Sequence, residues 1–207
     1  LSPKVVKAVS LPDVGRTVDP LRLTEALAAD FVRRGGEIIV AEVMGFEIGT
    51  AGPTKILTDR GPVDVEMVVL AAGVWSRKLA ADLGTRVPLE TERGYHVMFA
   101  NPAIKLRKAL VSADRSVSLA HMAEGIRATG VAEFAPPDAA PNMANARMVQ
   151  RHAQILVPGL TGEPASQWMG PRPSHPDSKP VIGRSPRYAN VLFAFGHDHL
   201  GLTMAGI

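Results

Sequence analysis

The sequence contains no cysteine. That removes disulfides, thiolate catalysis, iron–sulfur clusters and cysteine-ligated zinc, and it fits a reducing compartment. Aromatic residues make up only 5% of the chain, too few for a stacking platform that would hold single-stranded nucleic acid. No apolar run approaches the roughly 20 residues a membrane-spanning helix needs, and no signal peptide is visible. Charge of one sign is also scarce: 23 Lys and Arg against 20 Asp and Glu leave +3. The basic residues come in short clusters, such as Arg33-Arg34 and Lys105 to Lys108. These read as solvated surface, so no nucleic-acid partner is expected. Walker, Gly-x-Ser-x-Gly, His-Glu-x-x-His and Gly-x-Gly-x-x-Gly motifs are all missing.

What remains is a chain of 207 residues with 46% hydrophobic content. It can bury a sizeable core as one large domain or two small ones. Asp19-Pro20 starts a helix: Asp caps free N–H groups and Pro is tolerated in the first turn. Leu23, Leu27 and Phe31 share one face of it, and Gly35-Gly36 ends it. Val5 to Leu11, Glu37 to Val40, Val43 to Ile48 and Lys55 to Thr58 read as strands, with turns at Thr50 to Pro53 and Asp59 to Asp64. Glu66 to Ala72 is a short unalternating apolar run, expected as a strand buried on both faces. A helix capped by Ser76 follows to Leu83.

After Pro88 the style changes. Tyr95, Val97 and Phe99 alternate with His96 and Met98. Val117 to Leu119 and Ile126 to Phe134 read as further, antiparallel strands. Met143 to Leu156 reads as a helix whose stripe carries Met148, His152 and Ile155 or Leu156. Gly170 to Pro186 holds five prolines and little regular pattern, and Asn190 to Phe195 is the last strand. Two interleaved mixed α and β subdomains fit this order.

Four segments could carry chemistry. In Val68 to Ser76, a strand ending in small residues lets a ligand approach the backbone, and ligands bind beyond the C-terminal strand ends of open α/β sheets. A plain strand-to-helix turn is the alternative. In Trp168 to Pro173, Arg172 lies between two prolines that stiffen it for a two-pronged grip on a carboxylate; the alternative is a surface Arg in a loop. In Phe195 to Thr203, glycines after a strand free N–H groups, and Gly201 can open a helix. There His197 and His199 share a strand face without a third ligand, so no metal is read. In Glu92 to His96, Gly94 can admit a planar ring or simply form a bulge. His121, His152 and His175 read as packing or strand-end groups.

In order along the chain, these segments resemble the D-amino-acid oxidase superfamily of FAD-dependent oxidoreductases, including glycine oxidase, sarcosine oxidase and bacterial D-amino-acid dehydrogenase. Val18-Asp19-Pro20 with its helix resembles the entry to that family's FAD domain. Ala71-Ala72-Gly73-Val74-Trp75-Ser76 resembles its Ala-Gly-x-Trp-Ser segment. Gly170-Pro171-Arg172-Pro173 with Pro176 to Gly183 resembles its Gly-x-Arg-Pro run, and Gly196-His197 to Thr203 resembles its Gly-His-x-x-x-Gly signature. Glu92 to His96 leans toward the dehydrogenase branch.

The resemblance implies an α/β (α+β) fold: a partial FAD-binding Rossmann-like subdomain (15–87, returning at 183–207) interleaved with an antiparallel-sheet substrate-binding subdomain (88–182 with 1–14). It implies FAD as cofactor, held by Val43, Ala72, Gly73, Trp75, Gly94, Gly196, Gly201, Leu202 and Thr203. Substrate would be held by Arg172, Tyr95 and His197, with no acid–base residue. The implied reaction is oxidation of the C–N bond of a D-amino acid or related amine. The dehydrogenase branch implies peripheral contact with a membrane quinone. Because the pyrophosphate-binding βαβ unit of the family has no counterpart here, a missing N-terminal segment or complementary chain is expected as partner. The chain alone is expected to bind FAD weakly and to be inactive.

Overall fold

The structure is a computed structural model that describes residues 1–205. Its packing divides the chain into two units. Unit 1 comprises Leu1–Ile38, Arg93–Glu133 and Ala139–Gly170; unit 2 comprises Ile39–Glu92, Phe134–Asp138 and the chain from Pro171 onward.

Unit 1 is built on a five-stranded sheet ordered β6-β7-β8-β5-β9, with β5 Glu90–Ala100, β6 Leu110–Ser112, β7 Val117–Met122, β8 Gly125–Phe134 and β9 Ser166–Ser174. β7 and β8 form a hairpin, with Val117 opposite Gly130 and Met122 opposite Gly125. The alternation read at Tyr95, Val97 and Phe99 places these three on the core face, joined by Val117, Leu119, Ile126 and Ala128. A helix, α3 (Ala144–Leu156), covers that core. Its buried stripe is Ala146, Val149, Ala153 and Leu156. The expected stripe was offset: Met148 is 41% exposed, and His152 turns a ring nitrogen to the Arg115 carbonyl at 2.9 Å. Alanines at 146 and 153 allow close approach to the sheet, which the larger side chains would prevent.

Helix α1 (Pro20–Arg33) starts as expected, with the Arg22 N–H donating to the Asp19 carboxylate at 3.0 Å. Its apolar face is not covered: Leu23, Leu27 and Phe31 are 38%, 60% and 53% exposed. Residues 15–38, expected with the FAD-binding part, pack with unit 1. The Ala123 N–H donates to the Val18 carbonyl and Arg16 donates to the Arg107 carbonyl.

Unit 2 holds two small sheets. β1 (Val43–Ile48), β2 (Pro53–Thr58) and β3 (Gly61–Asp64) form an antiparallel meander. β4 (Val68–Leu70), β10 (Val181–Arg184) and β11 (Val191–Phe195) form the other, ordered β10-β11-β4. β11 runs antiparallel to β10 and parallel to β4. α2 (Ser76–Asp82) packs Leu79 and Ala80 with Val68, Leu70, Val191, Phe193 and Phe195.

Several local expectations change. Val5 to Leu11 and Glu37 to Val40 form no strand; Val6 and Val9 are 91% and 89% exposed, so a partner for the first of these is lacking. Residues 61–64, read as turn, form β3. β4 is shorter than the apolar run and one-sided, with Val69 57% exposed. The proline-rich segment contributes most of β9 and all of β10. Pro171 and Pro173 are admissible because β9 is the sheet's edge, where a missing N–H breaks no ladder.

Candidate functional site

The site grows from the parallel pair β4 and β11. Leu70 lies opposite Phe193, so both strands run out toward the same edge. β4 leads to Gly73 and β11 to Gly196. Both glycines need left-handed backbone, with φ of +56° and +79°. Around Gly73 the space a Cβ would take is open. Gly73–Trp75 make one 3-10 turn, in which Val74 is buried and Trp75 is 62% exposed. Ala72 is partly buried beside them. Ser76 does not cap α2 as expected: it lies inside the helix, fully buried, and its Oγ has no hydrogen-bond partner among the described residues.

The Gly196 turn is latched to the end of β9. The Asp198 N–H donates to the Pro173 carbonyl at 3.0 Å, and the Ser174 hydroxyl donates to the Asp198 carboxylate at 3.0 Å. The His175 ring lies on Gly196 so closely that a Cβ there would come within 2.1 Å of Cε1. His175 is buried, and neither ring nitrogen has a partner among the described residues. His197 is half-buried, and its carbonyl accepts from the Leu200 N–H. Gly201 then opens α4 (Gly201–Met204), which leaves Leu202 and Thr203 exposed. Among the described residues, no three His, Asp or Glu side chains converge to hold a metal ion.

Arg172 is two residues before Ser174 and so belongs to the same latched strand end. Its Nη1 donates to the Glu92 carboxylate at 2.7 Å, with side-chain exposures of 26% and 20%. The rest of its fork makes no hydrogen bond to the described residues. The structure thus brings Ala72, Gly73, Trp75, Arg172, Gly196, His197, Gly201, Leu202 and Thr203 onto neighbouring segments of unit 2. Glu92, His175 and Asp198 join them. Sequence reading placed Glu92 and Asp198 within candidate segments without a role of their own and took His175 as a packing or strand-end group, because nothing local marks residues that meet across 21 to 80 positions of chain.

The remaining candidates are Val43, Gly94 and Tyr95. Val43 begins β1, in the meander sheet. Gly94 is buried within β5. Tyr95, expected against the substrate, has 0% exposure. Its hydroxyl donates to the Glu133 carboxylate and accepts from the Asn142 N–H. With no surface and a satisfied hydroxyl, Tyr95 is a core residue. Its neighbour His96 stacks on Trp168 with ring centroids 5.1 Å apart. Burial, and after it the Arg127 guanidinium, hold the His96 imidazole below its ordinary pKa of 6.5.

This arrangement of bare main chain at parallel strand ends meets a sequence match to the family described as FAD dependent oxidoreductase, over residues 1–207. The chain belongs to that family. A D-amino-acid oxidase from Bradyrhizobium diazoefficiens is 35% identical over 207 residues, covering 98% of this chain and 49% of that protein. A glycine oxidase from Geobacillus kaustophilus superposes with a TM-score of 0.80 at 22% identity, over 88% of this chain and 50% of that one. A glycerol-3-phosphate dehydrogenase from Bacillus halodurans, complexed with FAD, superposes at 0.67 with 22% identity, over 84% of this chain and 38% of that one. The chain therefore spans about half the length of the oxidases it matches.

The family's cofactor fits what unit 2 presents. Gly73 leaves open main chain where a side chain would stand, Trp75 offers an exposed ring, and Ser76 and His175 hold buried polar atoms with no partner among the described residues. Buried orphans of this kind are rare and call for a ligand or water. Ala72, Gly73 and Trp75 at one strand end, and Gly196, Gly201, Leu202 and Thr203 at the other, are residues that the sequence resemblance assigned to FAD.

Proposed function

We propose that this chain forms part of an FAD-dependent oxidoreductase that oxidises the C–N bond of a D-amino acid or related amine. Arg172 carries the reading. It is the one site residue able to grip a carboxylate through two parallel hydrogen bonds, and its fork is largely uncommitted. The prolines on either side fix its backbone, and the Ser174–Asp198 bond ties its strand to the Gly196 turn. When bound, FAD accepts the hydride that leaves the donor carbon.

The protein's share is placement. Arg172 holds the acid group, the glycine turns give close approach, and His197 borders the same turn. A misplacement of about 1 Å can cost a hundredfold in rate, which gives the latch its value. The amine must be neutral when the hydride departs, so a substrate that binds as the ammonium first gives its proton to water, and no protein base is assigned. Water converts the resulting imine to a keto acid and ammonia. Electrons then pass to oxygen or to a quinone at the inner membrane of the cell whose reducing compartment holds the enzyme. Among the described residues no helix is long and apolar enough to cross a membrane.

The test is a panel of D-amino acids, glycine, sarcosine and imino acids, with flavin bleaching and dye reduction as readouts. Arg172→Ala should raise KM for carboxylate-bearing donors by a hundredfold or more. An unchanged KM would overturn the reading.

A second reading has its own support. Leu23, Leu27 and Phe31 of α1 lie open, and β4 is a bare sheet edge. Both features call for cover. On this reading the chain is a substrate-binding or assembly module that gains FAD affinity only with an N-terminal dinucleotide-binding segment. Titrating FAD into the chain alone and then with that segment added separates the two; a tight, yellow, stoichiometric complex of the chain alone would sink the second.

A further inference from the structure

Arg172 faces a carboxylate before any substrate arrives. Glu92 accepts from Nη1 at 2.7 Å, and only 26% of the Arg172 side chain and 20% of the Glu92 side chain are exposed. The pair is prepositioned from both sides. Glu92 lies in β5 between Thr91 and Arg93, which are 7% and 1% exposed. Arg172 lies in β9 between two prolines. We propose that Glu92 is a specificity-determining residue: it makes the Arg172 site select a zwitterionic amino acid over a simple carboxylate anion. The inference rests on reading Arg172 as the carboxylate-binding residue.

Charge carries the argument. A lone guanidinium would bind any small carboxylate. With Glu92 beside it the local charge is near zero. An acid group gripped by the free part of the fork would sit on the order of 5 Å from the Glu92 carboxylate. For a plain carboxylate this contact is repulsive. For a zwitterion, the ammonium one carbon from the acid group can face Glu92 and cancel the repulsion. Partial burial keeps the effect from being screened away as it would be for a fully exposed pair. At that spacing and shielding the discrimination is about tenfold or more. The same logic expels the product: the keto acid has kept its carboxylate and lost its amine, so Glu92 disfavours it as soon as ammonia has gone.

A role limited to steadying Arg172 predicts something different. Losing it would weaken both ligand types alike. The experiment therefore reads a ratio. The probes are 2-aminoisobutyrate and isobutyrate, with 1-aminocyclopentanecarboxylate and cyclopentanecarboxylate as a second pair. Neither amino acid has a hydrogen on the carbon bearing nitrogen, so both bind without turnover. Dissociation constants are measured by calorimetry on the FAD-loaded full-length protein, with a melting curve to confirm folding.

The parent should prefer each amino acid to its partner, and Glu92→Gln should shrink that preference by about tenfold. Glu92→Asp, which keeps the charge, should retain it. An unchanged preference in Glu92→Gln overturns the proposal, whether or not both affinities drop together. Arg172→Ala should abolish binding of both members of each pair. If it leaves their affinities intact, or if the parent binds none of the four, the carboxylate reading of Arg172 itself fails.

Discussion

Two buried hydroxyls, Tyr95 in unit 1 and Ser76 in unit 2, are treated in opposite ways. In unit 1, the Tyr95 hydroxyl is bound on both sides, and the Arg93 guanidinium donates to the Ala139 and Ala140 carbonyls. In unit 2, the Ser76 hydroxyl and both His175 nitrogens are buried without partners among the described residues. A satisfied buried group holds a fold in place, whereas an unsatisfied one costs about 1–3 kcal/mol until something binds it. Unit 1 thus binds the Tyr95 hydroxyl into its core, whereas unit 2 leaves the Ser76 hydroxyl and the His175 ring unpaired beside the turns that follow β4 and precede β10.

The largest effect that would sharpen this contrast lies in unit 1. Ile126 is 0% exposed in the sheet core, so Ile126→Ala should lower stability by about 2–5 kcal/mol in urea unfolding. Next comes the Gly196 turn. Gly196→Ala puts a side chain at φ +79° and against His175. It should cost about 1–3 kcal/mol and also depress FAD affinity; full FAD affinity in this variant would remove the turn from the cofactor site.

Two hydroxyl deletions then test the contrast head to head. Tyr95→Phe strips a satisfied group and leaves the Asn142 N–H short of its acceptor, so about 1–3 kcal/mol should be lost. Ser76→Ala removes an orphan of nearly the same shape, so the FAD-free protein should be unchanged or more stable by up to about 1 kcal/mol. Equal losses for both would erase the distinction between the two hydroxyls.

The smallest effect is one of pH. His96 has its folded pKa depressed, chiefly by burial, so the unfolded chain binds more protons below 6.5. Stability should therefore fall as pH drops from about 6.5 toward the folded value. His96→Gln should flatten that slope in melting curves recorded between pH 7 and 5; an unaltered slope would assign it to other groups.

Local signals predicted what is local. The Asp19 cap, the alternation at Tyr95 to Phe99, and Gly73 and Gly196 after strands all stand in the structure where residue chemistry put them. Apart from the Ser76 cap, which lies one residue inside α2, errors arose where a partner decides. Val5 to Leu11 has strand-like residues and no strand beside it, and residues 61–64 have turn residues and a strand beside them. Tyr95 illustrates the same limit at the site. Alternation shows that it faces inward, but not whether inward means a cavity or a filled core. The Glu92–Arg172 pair spans 80 positions. No spacing rule reaches that far, because strand pairing across the sheet, and not sequence proximity, brings the two together.

The alternating prolines of β9 have a consequence for the protein in concentrated solution. A strand that adds to a sheet edge needs N–H donors every second residue, and at positions 171 and 173 there are none to offer. That border of the five-stranded sheet is thereby closed to a second copy, so the stretch bearing the charged recognition group resists fibril-type zippering while staying open to a small solute.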